Sequence, residues 1–262
     1  MPETIRNEIQ MADSAIEIVE VKDEKRGQKH YLLIETKRTS SCIWADGKKL
    51  HEVADIDIRA RYLFGDRINH IGHLVSHMGG RLSYDQTVKL TNGEVMVKLY
   101  DLHSLHIGTY LFHKVVHWAK GFDPGCRVVP ISLSRSDARD PENKTRRNRF
   151  YENFGLRFDY RTEVGIEDAE GASDRSLTVG DLIAYQNWPN IRACHWLDGF
   201  KAMAYAFDKL RRDRRANLSQ IRFMKRQATM KDRWLLRLSW HLNWLNYGII
   251  AAGAFWLGKQ FS

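Results

Sequence analysis

The chain has few cysteines, and nothing in it suggests a disulfide framework. Cys42, Cys126 and Cys194 are three, an odd number, and no two lie near enough in sequence to form a metal-binding pair. That pattern is expected of reduced thiols in a cytoplasmic compartment. The first residues lack the unbroken apolar run of a signal peptide, because Glu3, Arg6, Glu8 and Asp13 interrupt it. No internal repeat is evident. Acidic residues are scarce between Lys209 and Arg233, where ten Lys/Arg face only Asp213 and Asp232. That stretch carries +8 of the formal net charge of +9, so the basic character is local. With 43% apolar and 28% charged residues over 262 positions, the chain can bury one good core and leave a smaller second region.

Ser14–Val21 and His30–Lys37 are rich in β-branched and apolar residues and are predicted strands, with Asp23–Gln28 as the turn between them. Ser41–Ala45, Asp46-Gly47 and Lys49–Ile58 have the form of a hairpin, since Asp-Gly supports the positive φ angles of a tight turn. Asp66–Met78 places apolar residues at 68, 71, 74, 75 and 78, which is helical spacing, with Gly79-Gly80 as its stop. A second hairpin is expected from Arg81–Leu90, Asn92-Gly93 and Glu94–Leu102. A helix over Gly108–Lys120, a strand over Cys126–Leu133, a helix over Glu142–Phe154 and a strand over Leu156–Thr162 complete an α+β domain at 14–162 with a mixed sheet. Glu163–Ser176 reads as a linker. Beyond it, Val179–Asn187, Cys194–Arg212 and about 216–257 are helical in character, with no strand expected.

Two short stretches carry the chemistry. Arg147–Phe158 has the form of a helix bearing the pair Phe150-Tyr151, stopped by Gly155 and followed by an extended segment. Upstream, Ile107-Gly108-Thr109 opens an apolar helix leading into a Val-rich strand. The free N–H groups and dipole of a helix N-terminus favour an anion, and a glycine there lets a pyrophosphate approach the backbone.

In order and separation these pieces resemble the GCN5-related N-acetyltransferases (GNAT). The matching segments are Val95–Leu99, His103–Gly108, Thr109–Lys120, Val128–Leu133 and Arg146–Gly155, about a quarter of the chain, and residues 14–93 agree in strand order. The resemblance implies a GNAT-like mixed sheet flanked by helices. It also implies acetyl-CoA or another acyl-CoA as cofactor, and acyl transfer to an amine whose identity the sequence does not reveal. The family's pyrophosphate turn, Arg/Gln-x-x-Gly-x-Gly/Ala, falls on His103-Ser104-Leu105-His106-Ile107-Gly108. The last glycine is kept, whereas His103 replaces the basic or amide residue and His106 replaces the first glycine. The coenzyme contacts so implied are Val97, Leu99, His103, His106, Ile107, Gly108, Thr109 and Asn148, with Arg149 on the same helix. Tyr151 falls where the family places its general acid, able to protonate a leaving thiolate. Backbone N–H groups near Val97–Leu99 would polarise the thioester carbonyl. Glu94 and Asp101 are the carboxylates in the region of a base. The competing reading is a GNAT-like scaffold without catalysis, acting through its helical C-terminal region.

Seven of eleven histidines lie between residues 70 and 117. His70, His73 and His77 would share one face of a helix, and His113 and His117 are an i, i+4 pair of the kind that can chelate zinc. His113-Lys114-Val115-Val116-His117 lacks the glutamate of a zinc hydrolase, and no metal site is assigned.

The C-terminal region, 177–262, joins Lys209–Arg233 to Leu238–Leu257, twenty residues without Asp, Glu, Lys or Arg. Twenty uncharged residues just span a bilayer, but His241, Asn243 and Asn246 interrupt the run. Three kinds of partner suit it: a protein or a second copy of the chain, an anionic membrane surface on the cytoplasmic side, or nucleic acid.

Overall fold

The computed structural model describes residues 6–45, 48–138, 140–161 and 168–260. Three strands of eighteen residues each, β1 (Arg6–Asp23), β2 (Gln28–Ala45) and β3 (Lys48–Gly65), form an antiparallel meander. The two strands expected within 30–45 are one, because Thr39 and Ser40 stay paired with Ala12 and Met11 across the expected gap. The Asp46-Gly47 turn lies outside the described residues. Leu32 and Ile34 of β2 alternate with Ile56, Ile58, Ala60 and Tyr62 of β3 on one buried face. That period of two puts every second residue toward the core.

Asp66–Met78 is not a helix. A short 3-10 turn at Ile68–His70 precedes β4 (Leu74–Leu82), which pairs antiparallel with β3. The glycine pair expected to stop a helix instead permits close packing within the strand. A Cβ on Gly79 would stand 2.5 Å from the carbonyl oxygens of Ile56 and Asn92, and one on Gly80 2.7 Å from the Trp118 ring. The next hairpin is also displaced. Its turn is Ser83–Gln86, and β5 (Thr87–Lys89) follows at once. Glu94–Leu102 forms no regular strand, although it runs beside β4: Asn92 N–H donates to Gly79 O at 2.9 Å and Lys98 N–H to Val75 O at 2.8 Å. Gly93, at φ +141°, kinks this arm.

Helix α1 (Ile107–Ala119) forms where its period predicts and packs Leu111, Phe112, Val115 and Val116 against β3 and β4. It crosses over to β6 (Arg127–Val128), which pairs parallel with β5, while every other pairing among the described strands is antiparallel. The strand expected over Cys126–Leu133 breaks into β6 and β7 (Ser132–Leu133), which belong to different sheets. Pro130 between them has no N–H for a ladder. Helix α2 (Pro141–Asn153) begins where Asp140 accepts a hydrogen bond from Glu142 N–H at 3.0 Å. It ends at Gly155, whose φ of +85° is the left-handed conformation of a helix stop. Then come β8 (Phe158–Tyr160) and β9 (Gly171–Ser173), the latter inside the stretch read as a linker. Val179–Asn187 holds only a 3-10 turn at Val179–Asp181. A strand not expected from sequence, β10 (Ile191–Cys194), pairs with β1, and α3 runs from Trp196 to Gln260.

The fold is α+β, with a seven-stranded mixed sheet in the order β10-β1-β2-β3-β4-β5-β6, a small sheet β7-β9-β8 and three α-helices among the described residues. The chain divides into two units, Met1–Met203 and Ala204–Ser262. The first holds both sheets, α1, α2 and the start of α3; the second is the rest of that helix. No helix among the described residues is long and apolar enough to cross a membrane.

Candidate functional site

The parallel pairing of β5 with β6 is short. Thr87 and Val88 pair with Arg127 and Val128, and Val129 N–H donates to Val88 O at 2.8 Å. The two chains then part, one arm following β4 through residues 92–98, the other joining β9 as β7. Where parallel strands separate at their carboxyl ends, backbone groups lose their ladder partners and a crevice opens, the usual place for a ligand in such a topology.

On the first arm Val95, Val97 and Leu99 turn toward the core, while Met96 and Tyr100 are exposed. The amides of Val97 and Leu99 donate no hydrogen bond among the described residues. The Val97 carbonyl accepts one from His103 Nε2 at 2.8 Å. That bond ties the turn before α1 to the arm and requires a proton on Nε2. The α1 N-terminus lies at the same end of the sheet, since Gly108 faces the Met78 side chain of β4 while the arm is hydrogen-bonded to Val75.

Ser104 and His106 both adopt left-handed backbone angles, φ +62° and +60°. His106 caps α1 without a side-chain hydrogen bond, so the first-turn N–H groups of Ile107, Gly108 and Thr109 gain no capping acceptor from it. At Gly108 a Cβ would come no closer than 3.9 Å to Met78 Cε and Phe150 Cε2. Both are ordinary van der Waals distances, so glycine is not forced there by its neighbours.

Helix α2 reaches both the turn before α1 and the chain just after β7. Arg146 Nη1 donates to Ser104 Oγ at 3.3 Å, and Arg147 Nη1 to the Ser134 carbonyl at 2.8 Å. Neither arginine was singled out from the sequence, because each earns its place through contacts 42 and 13 residues away. Asn148 is buried and already engaged: its Nδ2 donates to Asp168 O at 2.9 Å and its Oδ1 accepts from Arg147 Nε at 3.1 Å. Arg149 is exposed. Tyr151 is 8% exposed, its ring set among Phe112, Phe150 and Phe158 at centroid distances of 6.0, 5.1 and 5.6 Å. Of the two carboxylates near the arm, Glu94 pairs with Lys98 at 2.8 Å, and Asp101 lies 3.4 Å from Arg67 Nε and 3.5 Å from His70 Nε2.

The histidines do not converge. His77 is on β4 beside the Asp57 carboxylate, and His70 and His73 flank the 3-10 turn with ring centroids 6.0 Å apart. His113 and His117 do stack, at 5.9 Å. His113 Nδ1 donates to the Tyr185 carbonyl at 3.1 Å, and burial holds this ring below the ordinary imidazole range. Among the described residues no group of three His, Cys, Asp or Glu side chains could hold a metal ion.

One histidine is wholly enclosed. His30 Nδ1 is 3.0 Å from the Tyr62 hydroxyl, which also accepts from Arg67 N–H at 3.1 Å. The phenol proton therefore goes to Nδ1, leaving the hydrogen on Nε2, which has no partner among the described residues. Burial pushes the Tyr62 phenol up to about 12. Compared with protein-family models, with curated proteins and with solved structures, the chain finds no match.

Proposed function

We propose that the chain is a GNAT-like N-acyltransferase that takes an acyl group, acetyl or longer, from coenzyme A and passes it to an amine. The observation that carries this reading is the β5–α1–β6 crossover, whose parallel strands part at the end of the sheet where α1 begins. The residues present fit the coenzyme in three respects. The α1 N-terminus offers backbone N–H groups to a pyrophosphate, with Gly108 carrying no side chain in its first turn and Arg146 one hydrogen bond away at Ser104. His106 holds the left-handed angle of the position that the family fills with glycine. The unpaired amides of Val97 and Leu99 suit an extended pantetheine chain and a thioester carbonyl.

In this reading the arm from Val95 to Leu99 polarises the thioester carbonyl, the neutral amine attacks it, and the C–S bond breaks. Tyr151 would donate its proton to the departing thiolate, water would take the proton from the attacking nitrogen as the amide forms, and the Tyr151 phenolate would regain a proton from solvent. His103 is a positioning residue, since its Nε2 proton is used to hold Val97. Asn148 supports the Asp168 loop rather than the coenzyme.

The test is release of free thiol from acetyl-CoA in the presence of a panel of small and peptidic amines. Turnover that falls at least tenfold in Tyr151→Phe supports the assignment. Unchanged turnover in that variant removes Tyr151 as the acid.

A further inference from the structure

The second unit, the helix from Ala204 onward, carries an apolar seam at a spacing that a straight surface cannot match. From Phe207 to Trp256 the positions alternating by three and four residues are Phe207, Leu210, Arg214, Asn217, Ile221, Met224, Ala228, Lys231, Leu235, Leu238, Leu242, Leu245, Ile249, Ala252 and Trp256. Twelve of these fifteen are apolar, so the repeat is seven residues long and persists for seven heptads. A period of 3.5 drifts by roughly 20° per heptad on an α-helix, so the seam winds about 140° around this one. A flat membrane would meet only part of such a stripe. A second helix supercoiled with it meets the whole.

We infer that α3 pairs with α3 of a second copy of this chain as a parallel, in-register, two-stranded coiled coil. The polar seam positions select that partner and that orientation. Arg214 occupies an a position and Asp213 the g position before it; Lys231 occupies a d position and Asp232 the e position after it. Residues adjacent in sequence do not face one another on a helix. Among the described residues neither aspartate forms an ion pair within its own chain. In a parallel dimer, however, the hole that receives an a residue is edged by the partner's g position, and the hole that receives a d residue by its e position. Each seam cation then lies beside the partner's aspartate. These are the sole two acids between Lys209 and Arg233, a placement that +8 of scattered charge does not require. Asn217 meets its own copy, whose amide offers the complementary donor and acceptor, only when the two helices run in register.

The exposed area is of the right size. Phe207, Leu210, Ile221, Met224, Leu235, Leu238, Leu242 and Leu245 are each between 40% and 62% exposed. Eight side chains of roughly 150–200 Å² at half exposure present about 700 Å² per chain, near the ~800 Å² per partner of a stable interface.

Sedimentation velocity of the full chain at micromolar concentration, without lipid, tests this directly. The expected result is a dimer that becomes monomeric in Leu235→Asn/Leu242→Asn, with circular dichroism reporting that the first unit stays folded. In a Cys194→Ser background, Leu242→Cys forms an intermolecular disulfide under mild oxidation, which an antiparallel pair could not do so far from the helix centre. Asp213→Arg weakens the dimer roughly tenfold, and adding Arg214→Asp restores it. A monomer, a dimer indifferent to the Leu235/Leu242 changes, or a dimer without the Leu242→Cys cross-link overturns the proposal. So does a monomer that floats with phosphatidylglycerol vesicles, which would assign the helix to a lipid surface.

Discussion

His103 Nε2 lies 2.8 Å from the Val97 carbonyl oxygen, and this bond joins the turn that opens α1 to the irregular arm beside β4. Both backbone features proposed to meet the coenzyme are therefore linked through one imidazole. His103→Ala leaves a half-buried carbonyl without its donor and costs about 1 kcal/mol, read as a lower urea midpoint with an unchanged slope. His103→Gln, whose amide nitrogen falls near the place of Nε2, recovers part of that loss.

His106→Gly is expected to stabilise the protein by about 1 kcal/mol, since a histidine at φ +60° carries the strain that glycine does not. Under the proposed function, the same change removes a Cβ from the turn before α1 and is expected to tighten acyl-CoA binding. Thermal unfolding and ligand titration of one variant report the two effects separately.

Gly80→Ala is expected to destabilise the first unit by roughly 1–3 kcal/mol, because the new methyl would stand 2.7 Å from the Trp118 ring. Trp118→Leu in the same chain relieves the clash. A double-mutant cycle by denaturant unfolding should therefore give a coupling well above 0.5 kcal/mol.

How far the fold can be read from sequence depends on whether its signals are local. Helix α1 has an apolar stripe that persists for three turns, and α2 has Asp140-Pro141 before it and Gly155 after it, so both are legible. Asp66–Met78 misleads because Leu74, Val75 and Met78 satisfy a helical period, while β4 places them by its pairing with β3. Gly79-Gly80 has two physical uses, a helix stop and a close approach, and only the position of Trp118 decides between them. Strand β10 is four residues long with Ile191 as its sole buried member, so it leaves almost no pattern. At the site, the turn from His103 to Gly108 was visible in sequence. The commitment of Asn148 to Asp168 and the reach of Arg146 to Ser104 were not, since both depend on distant segments meeting.

Stability should fall on acidification because of His30. Burial holds its imidazole below the ordinary value of 6.5, with Asp66 and Asp23 opposing that shift and Arg67 and Arg26 adding to it. The unfolded chain then takes up a proton before the folded one does as pH drops. The stabilisation is complete above about pH 6.5 and is lost progressively as pH falls toward the folded value. Melting temperatures between pH 7.5 and 5.5 should decline in the native protein, with a shallower slope in His30→Gln.

The central claim is that the crevice between the parted strands binds an acyl-CoA, and calorimetric titration with acetyl-CoA tests it most directly. Saturable one-to-one binding is predicted, abolished by Gly108→Trp, which sets an indole in the first turn of α1, and retained by Tyr151→Phe, which removes only the proposed proton donor. Absence of binding heat at millimolar acetyl-CoA, or binding that survives Gly108→Trp unchanged, would contradict the account.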